Sequence, residues 1–197
     1  MSSASGPFGF IAAYHPSGCV RARPYPIATG YAANIFTGDP VKLVTAGTIQ
    51  LGTSDGTRTG TTADVLLLGV FAGCTYTDSN GKPNFSPYWP TGTTSADAIA
   101  WVYDDPDTVF RVESDGSIAA SGVGDQADWT GFTAPGGSTL TGISSGTLDA
   151  TLIGAGDQAQ FRILQIPVAP DNVAGDSFTQ VLVEIAQHQY RAAINAV

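Results

Sequence analysis

Glycine and proline interrupt this chain so often that a fold built from long helices is excluded. Its 197 residues include 24 glycines and 12 prolines, distributed along the whole sequence. Proline inside a helix removes a backbone hydrogen bond and clashes with the preceding turn, and glycine weakens helices by its backbone entropy. The segments left between them suit short strands joined by tight turns, so an all-β fold is favoured.

Several of these segments show the patterns of strands. Residues 41–51 contain apolar residues in alternation with polar ones, the period typical of a half-buried strand, and the run 65–72 is continuously apolar, which predicts a strand buried on both faces. Residues 78–81 (DSNG) predict a hairpin turn. Further strands are predicted at 98–103, 108–113, 161–166 and 179–185. Seven or eight short strands indicate a sandwich or a barrel.

The first 30 residues are predicted to form an extended arm ahead of a β-rich domain at 31–197. Prolines 7, 16, 24 and 26 exclude a long helix there, and the aromatic content is too high for a disordered tail. Such an arm packs on its own body or on a neighbouring subunit. The candidate contact residues are its large apolar side chains, Phe8, Phe10, Ile11, Tyr14 and Tyr25.

The charge of the chain argues against polyanionic partners. Eight basic residues against 17 acidic ones give a net charge of −9 and a pI near 4.3, and the basic residues form no cluster. Binding to nucleic acid or to an anionic membrane is therefore not expected. Residues 1–7 lack the pattern of a signal peptide, which predicts synthesis in the cytoplasm.

The low charge content predicts self-association. Only 13% of the residues are charged, and the mean hydropathy is +0.08, so much of the surface must be small, polar or apolar. A surface with so few charges is poorly protected against self-association. We therefore expect a homo-oligomer, with a trimer favoured over a dimer.

No metal or cofactor site is expected from the sequence. Cys19 and Cys74 are interpreted as free thiols, with a disulfide as the alternative, because a cytosolic origin keeps thiols reduced. A zinc site built from these cysteines with His15 and His188 does not match the spacing of zinc ligands. The acidic run 104–107 (DDPD) is interpreted as a hairpin turn, with a surface cation as the alternative, since calcium loops space their ligands differently.

The candidates for catalysis are weak. Residues 142–146 (GISSG) match the nucleophile elbow of hydrolases around Ser144, but the flanking segments resemble neither a buried strand nor a helix. His15 and His188 stand alone in the sequence. We therefore expect no enzymatic activity, and interpret Ser144 as a loop residue. The aromatic residues Phe85, Tyr88, Trp89 and Trp101 are expected in a core or an interface, with stacking on sugars as the alternative.

The order of several short motifs resembles the head decoration, or cement, proteins of tailed bacteriophages. The motifs lie between residues 34 and 190: GDPVKL (38–43), LGVF (68–71), WVYDDPD (101–107), FRVE (110–113), VGDQAD (123–128), FRIL (161–164) and Asp171-Asn172. The resemblance implies a small all-β protein without enzymatic activity that is bound to the outside of a capsid. Its partners would be the major capsid protein and further copies of itself.

This resemblance makes a virion protein on the outer capsid surface the leading functional hypothesis. Such a protein stabilises the capsid by clamping its subunits together, and many weak contacts on one lattice act jointly. A negatively charged chain is repelled by packaged DNA, which agrees with an outer location. The alternative is a carbohydrate-binding or adhesion β-domain of a phage fibre, which an exposed platform of Tyr88 and Trp89 would favour.

Overall fold

The structure is a computed structural model, and it describes residues 5–53, 66–131, 136–153 and 158–191. In that part of the chain the regular elements are short strands and one 3₁₀ turn, which confirms the all-β class. The turn spans Ala120–Gly122. The strands, in chain order, are β1 (Ile11–Tyr14), β2 (Arg23–Pro26), β3 (Ile35–Phe36), β4 (Pro40–Leu43), β5 (Ile49–Leu51), β6 (Gly69–Thr77), β7 (Pro83–Ser86), β8 (Tyr88–Trp89), β9 (Ile99–Tyr103), β10 (Val109–Glu113), β11 (Gln126–Ala127), β12 (Trp129–Thr130), β13 (Thr147–Leu148), β14 (Phe161–Gln165) and β15 (Gln180–Ile185).

Two large antiparallel sheets form a sandwich-like fold. The first sheet has the strand order β1-β10-β15-β14-β11. The second has the order β2-β9-β6-β4-β5, and β7 also pairs with the long strand β6. Two small ribbons, β3–β8 and β12–β13, complete the paired strands in the described residues.

The apolar run predicted to be buried on both faces lies between two hydrophobic cores. Leu67 and Val70 belong to the first core, whereas Leu68 and Phe71 belong to the second, and all four side chains are fully buried. Burial on both faces is therefore confirmed for this part of the run, but the strand begins only at Gly69, and residue 65 lies outside the described residues. Residues 67–71 therefore lie between the two cores and contribute side chains to both.

The predicted hairpin at residues 78–81 is confirmed, because β6 and β7 pair on either side of it. Asp78 Oδ1 accepts the backbone N–H of Asn80 at 2.8 Å and that of Lys82 at 3.0 Å. Gly81 has a φ of +77°, in the left-handed region that favours glycine. Local side-chain chemistry therefore determines this turn.

Residues 104–107 form a turn, as predicted, but the strands on either side of it do not pair as a hairpin. The chain does turn there, with Thr108 N–H donating to Asp105 O at 3.0 Å. However, β9 lies in the second sheet and β10 lies in the first. The turn therefore carries the chain from one sheet to the other, because each strand finds its hydrogen-bonding partners elsewhere.

The extended N-terminal arm is not confirmed. β1 pairs with β10 in the first sheet, and β2 pairs with β9 in the second. Phe10, just before β1, is 1% exposed, and its ring stacks on that of Phe161 with centroids 4.4 Å apart. The described part of the segment therefore contributes a strand to each sheet and an aromatic side chain to the first core.

Candidate functional site

One face of the second sheet packs on the second core, and the other face packs partly on the first core, at Val70 and Tyr103, and is partly exposed, as β9 shows. Ala100 and Val102 are fully buried in the second core. Ile99 and Trp101 alternate with them and are 38% and 41% exposed. Alternation of this kind follows from the pleat of a strand, but here the outward positions carry large apolar side chains instead of polar ones.

Register across the sheet extends this exposed apolar surface over four strands. Pro26 of β2 lies opposite Ile99, which lies opposite Thr75 of β6, which lies opposite Phe85 of β7. Directly opposed residues project on the same side of a sheet. Phe85 is 86% exposed.

A second row runs beside the first, with Pro24 opposite Trp101. We call the combined surface the aromatic–proline face, made of Pro24, Pro26, Thr75, Phe85, Ile99 and Trp101. None of its six side chains is ionisable, on a chain whose net charge is −9. The face is therefore suited to apolar contact and ring stacking, and its own side chains offer no acid or base.

A cleft of about 320 Å³ crosses this face between Phe85 and Trp101. Gly73 and Thr75 of β6 line it, together with Pro87. Gly73 has a φ of +124°, and a Cβ there would lie 3.2 Å from Ser86 O. Glycine is therefore required for the backbone of this strand, and its missing side chain keeps the cleft open.

The five contact residues predicted from the N-terminal segment are not brought together. Phe10 lies in the first core, and Phe8 is half-buried under Arg111, whose guanidinium carbon is 5.3 Å from its ring centroid. Ile11 and Tyr14 are 44% and 47% exposed on β1. Tyr25 is half-buried in the other sheet. Among these five, exposed area remains at Ile11 and Tyr14 of β1 and at parts of Phe8 and Tyr25.

Tyr25 packs against the second core, and its hydroxyl belongs to a polar network. Its hydroxyl donates to Asp104 Oδ2 at 2.5 Å and lies 2.7 Å from the hydroxyl of Tyr190. Arg23 approaches the same carboxylate oxygen at 3.3 Å. Burial, followed by these hydrogen bonds, raises the pKa of the Tyr25 hydroxyl far above its ordinary value. The phenol therefore stays neutral and stabilises the buried Asp104.

The weak nucleophile motif lies in a buried structural contact. Ser144 is 1% exposed, and its hydroxyl donates to Asp39 Oδ1 at 2.5 Å while accepting the N–H of Gly146 at 2.8 Å. Ser144 N–H also donates to Thr37 O at 2.9 Å. The residue is therefore more than a loop position, because it fastens residues 144–146 to the turn between β3 and β4. Its hydroxyl oxygen faces the protein interior.

Three possible metal ligands converge at the turn 104–107, where the sequence left a surface cation as the alternative. His15 Nε2 lies 3.2 Å from Asp105 Oδ1, and one ligand atom each from His15, Asp105 and Asp107 fall within 4.8 Å of one another. Ser17 N–H donates to His15 Nδ1 at 3.1 Å, so the ring hydrogen is on Nε2, the atom that faces Asp105. A metal-bound histidine needs the opposite arrangement, with its free N–H donating outward. Arg191 also pairs with Asp107, so the group fits an ion-pair network better than a cation.

The two cysteines and His188, considered above as zinc ligands, differ in exposure. Both cysteines are free, Cys19 exposed and Cys74 buried in the second core, which agrees with the interpretation as thiols. Burial raises the pKa of the Cys74 thiol to about 12. His188 is 1% exposed, and burial lowers its pKa to about 4. In the described residues, the group with ligand spacing contains none of these three side chains.

The aromatic residues were noticed in the sequence, but their exposure was not predictable. Trp89 is fully buried, and Tyr88 is half-buried with its ring stacked on Phe36 at 5.5 Å, so these two form no exposed platform. Phe85 is part of β7, a strand that the sequence analysis did not predict. The strand predicted at 98–103 implies that Ile99 and Trp101 share one side, but only the tertiary structure shows that this side is exposed there.

Comparison of the chain with known protein families, curated proteins and solved structures finds no match. The described residues contain no helix with the length and apolar character needed to cross a membrane.

Proposed function

We propose that this protein is a structural virion protein that binds the outer surface of a tailed-phage capsid and clamps its subunits together. The observation that supports this most is the aromatic–proline face, a largely exposed surface without ionisable side chains on four paired strands. Interface cores are enriched in aromatic residues and depleted of charge. The motif order described above supplies the capsid as the partner, and the net charge of −9 agrees with a position away from packaged DNA.

The position of this face on hydrogen-bonded strands favours a clamp. Its side chains lie on four paired strands, so binding orders little backbone, and backbone ordering is a main cost of association. Each copy then needs only a modest contact, because many copies act together on the lattice. Further copies of the chain are the second proposed partner, with a trimer favoured over a dimer.

Binding to purified heads tests the proposal. Wild-type protein is expected to sediment with heads that lack it, while Phe85→Ala and Trp101→Ala bind at least about tenfold more weakly, since burying one such ring contributes about 1.5–3 kcal/mol. Leu140→Ala is the matched control, because Leu140 is 93% exposed and lies outside the aromatic–proline face. Failure of the wild-type protein to bind, or equal losses in the control, would contradict the proposal.

Carbohydrate binding is the second candidate function, and the cleft between Phe85 and Trp101 is the observation that favours it. Aromatic rings beside a cleft of about 320 Å³ can stack on a sugar ring. Quenching or a shift of tryptophan fluorescence by saccharides, lost in Trp101→Ala, would support this function. An unchanged spectrum across a glycan panel would exclude it.

A further inference from the structure

The chain that follows β15 crosses from the first sheet to the second. Leu67 N–H donates to Gln187 O at 2.9 Å, and Gln189 N–H donates to Leu67 O at 2.9 Å. The Gln189 side chain then bonds both backbone groups of Leu43, accepting from its N–H at 2.7 Å and donating to its O at 2.8 Å. Because Leu43 ends β4, residues 187–191 fasten the two sheets together, and we call them the clasp.

The far end of the clasp is held by side chains. The Tyr190 hydroxyl lies 2.7 Å from that of Tyr25 on β2, and Arg191 pairs with Asp107 in the turn after β9. These contacts are half-exposed, since Tyr190 is 52% exposed. They depend on the backbone at residue 190 remaining in place.

His188 lies in the middle of the clasp and is 1% exposed. Its Nδ1 accepts the N–H of Tyr190 at 3.1 Å, so Nδ1 carries no hydrogen and the neutral ring is protonated on Nε2. Nε2 is buried beside the backbone of Leu68 and Asp104, and within the described residues no hydrogen bond of good geometry reaches it. The clasp is therefore built around an uncharged imidazole.

The charged groups around this ring largely neutralise one another. Asp104 approaches it from the end of β9 but is already bound by Arg23 and the Tyr25 hydroxyl. Arg191, on the clasp itself, opposes a second positive charge and is paired with Asp107. The neighbouring residues Leu67 and Leu68 contribute no ionisable side chain. Burial is the largest influence, and it disfavours the imidazolium.

We propose that the clasp is an acid-released fastening between the two sheets, opened when His188 takes a proton from solvent on Nδ1. That proton places an N–H against the N–H of Tyr190, so the hydrogen bond holding residue 190 is lost. It also leaves a charged ring in a buried site. Both effects are relieved when residues 188–191 leave the surface, while the strands of the two sheets remain paired. This inference does not depend on the proposed function.

Amide hydrogen exchange on the full chain tests the proposal. The open clasp has a histidine of ordinary pKa, 6.5, and the closed clasp has one near 4. Linkage then predicts that the closed state is fully favoured above pH 6.5 and weakens as the pH falls toward 4. Protection of the amides of Leu43, Gln189 and Tyr190, whose hydrogen bonds are made by residues 188–191, is expected to fall about 100-fold between pH 7 and pH 4 after correction for intrinsic exchange rates.

Two variants and one direct titration make the test decisive. His188→Gln should abolish the acid-dependent loss, whereas His15→Gln, the matched control, should keep it. Simultaneous loss of protection in β10 and β15 would overturn the proposal, because that is global unfolding. If His188→Gln does not fold, nuclear magnetic resonance of the wild-type imidazole decides. The proposal is supported if the His188 ring titrates with a midpoint near pH 4 and the Tyr190 amide signal changes with the same midpoint. A midpoint of the ring near pH 6.5 overturns it.

Discussion

Ser144 donates a 2.5 Å hydrogen bond to Asp39, and the two residues are 105 positions apart in the sequence and almost completely buried. Asp39 Oδ2 accepts the N–H of Phe36 at 2.7 Å. Burial raises the pKa of this carboxyl to about 7, although both hydrogen bonds act to lower it. The pair therefore holds a titratable group at the junction of residues 36–39 and 144–146.

Ser144→Ala is expected to destabilise the fold by about 1–3 kcal/mol, because it leaves a buried carboxylate without one of its donors. Urea unfolding at pH 8, where Asp39 is mostly ionised, measures the loss. Ser121→Ala is the control, since Ser121 is exposed in the 3₁₀ turn. Equal midpoints for Ser144→Ala and wild type would show that the contact contributes nothing.

Asp39→Asn and His188→Gln are expected to change the pH dependence of stability in opposite directions. The pKa of Asp39 is raised from 3.8 to about 7, so its stabilising contribution is present below pH 3.8 and lost as the pH rises through 7. The pKa of His188 is lowered from 6.5 to about 4, so its contribution is present above pH 6.5 and lost as the pH falls through 4. At full size, the contribution to the free energy of unfolding is about 4 kcal/mol for Asp39 and about 3 kcal/mol for His188.

The two contributions oppose each other between pH 4 and pH 7, so their sum in the wild-type protein is nearly flat. Relative to wild type, Asp39→Asn should become less stable as the pH falls, and His188→Gln should become more stable. Free energies of unfolding at pH 4, 5.5 and 7 check this. Parallel pH profiles for the three proteins would contradict both assignments.

Phe10→Ala is expected to cost about 3–5 kcal/mol, since it removes a ring from the first core. Phe85→Ala is the matched control, because the same side chain there is 86% exposed and should cost less than about 1 kcal/mol. Deletion of residues 2–26 should prevent folding, as it removes β1 and β2 as well. A cooperative thermal transition in the truncated protein would show that the segment is dispensable.

Thiol labelling is expected to modify one cysteine in the folded protein. Cys19 is exposed, whereas burial raises the pKa of Cys74 to about 12 and removes its reactive thiolate. A thiol reagent at pH 8 should therefore consume one equivalent quickly, and two after unfolding. Cys19→Ser should abolish the fast reaction, and a remaining fast equivalent in that variant would contradict the burial of Cys74.

Self-association is expected to depend on the aromatic–proline face if copies of the chain meet there. Light scattering at micromolar concentration should then give a trimer mass, or a dimer mass, for the wild-type protein. Phe85→Asp should shift it to a monomer, because a charge at an apolar interface is costly to desolvate. A monomer mass for the wild-type protein would refute a stable oligomer in solution.

The sequence by itself determined the features that depend on neighbouring residues. Frequent glycine and proline led to the all-β class, the DSNG turn joins β6 and β7, and the apolar run around Leu68 is buried on both sides. Each of these features is local, because turn conformation and the alternation of buried and exposed residues depend on residues close together in the sequence.

Only the tertiary structure decided which strands pair, and with that the location of every candidate site. The turn at 104–107 separates two sheets, the N-terminal segment enters both of them, and Ser144 reaches Asp39 across the fold. Backbone donors and acceptors are the same at every residue except proline, so a sequence does not identify its own ladder partners. Register between distant strands also sets exposure, which is why Trp101 and Phe85 lie on an open face while Trp89 is in the core.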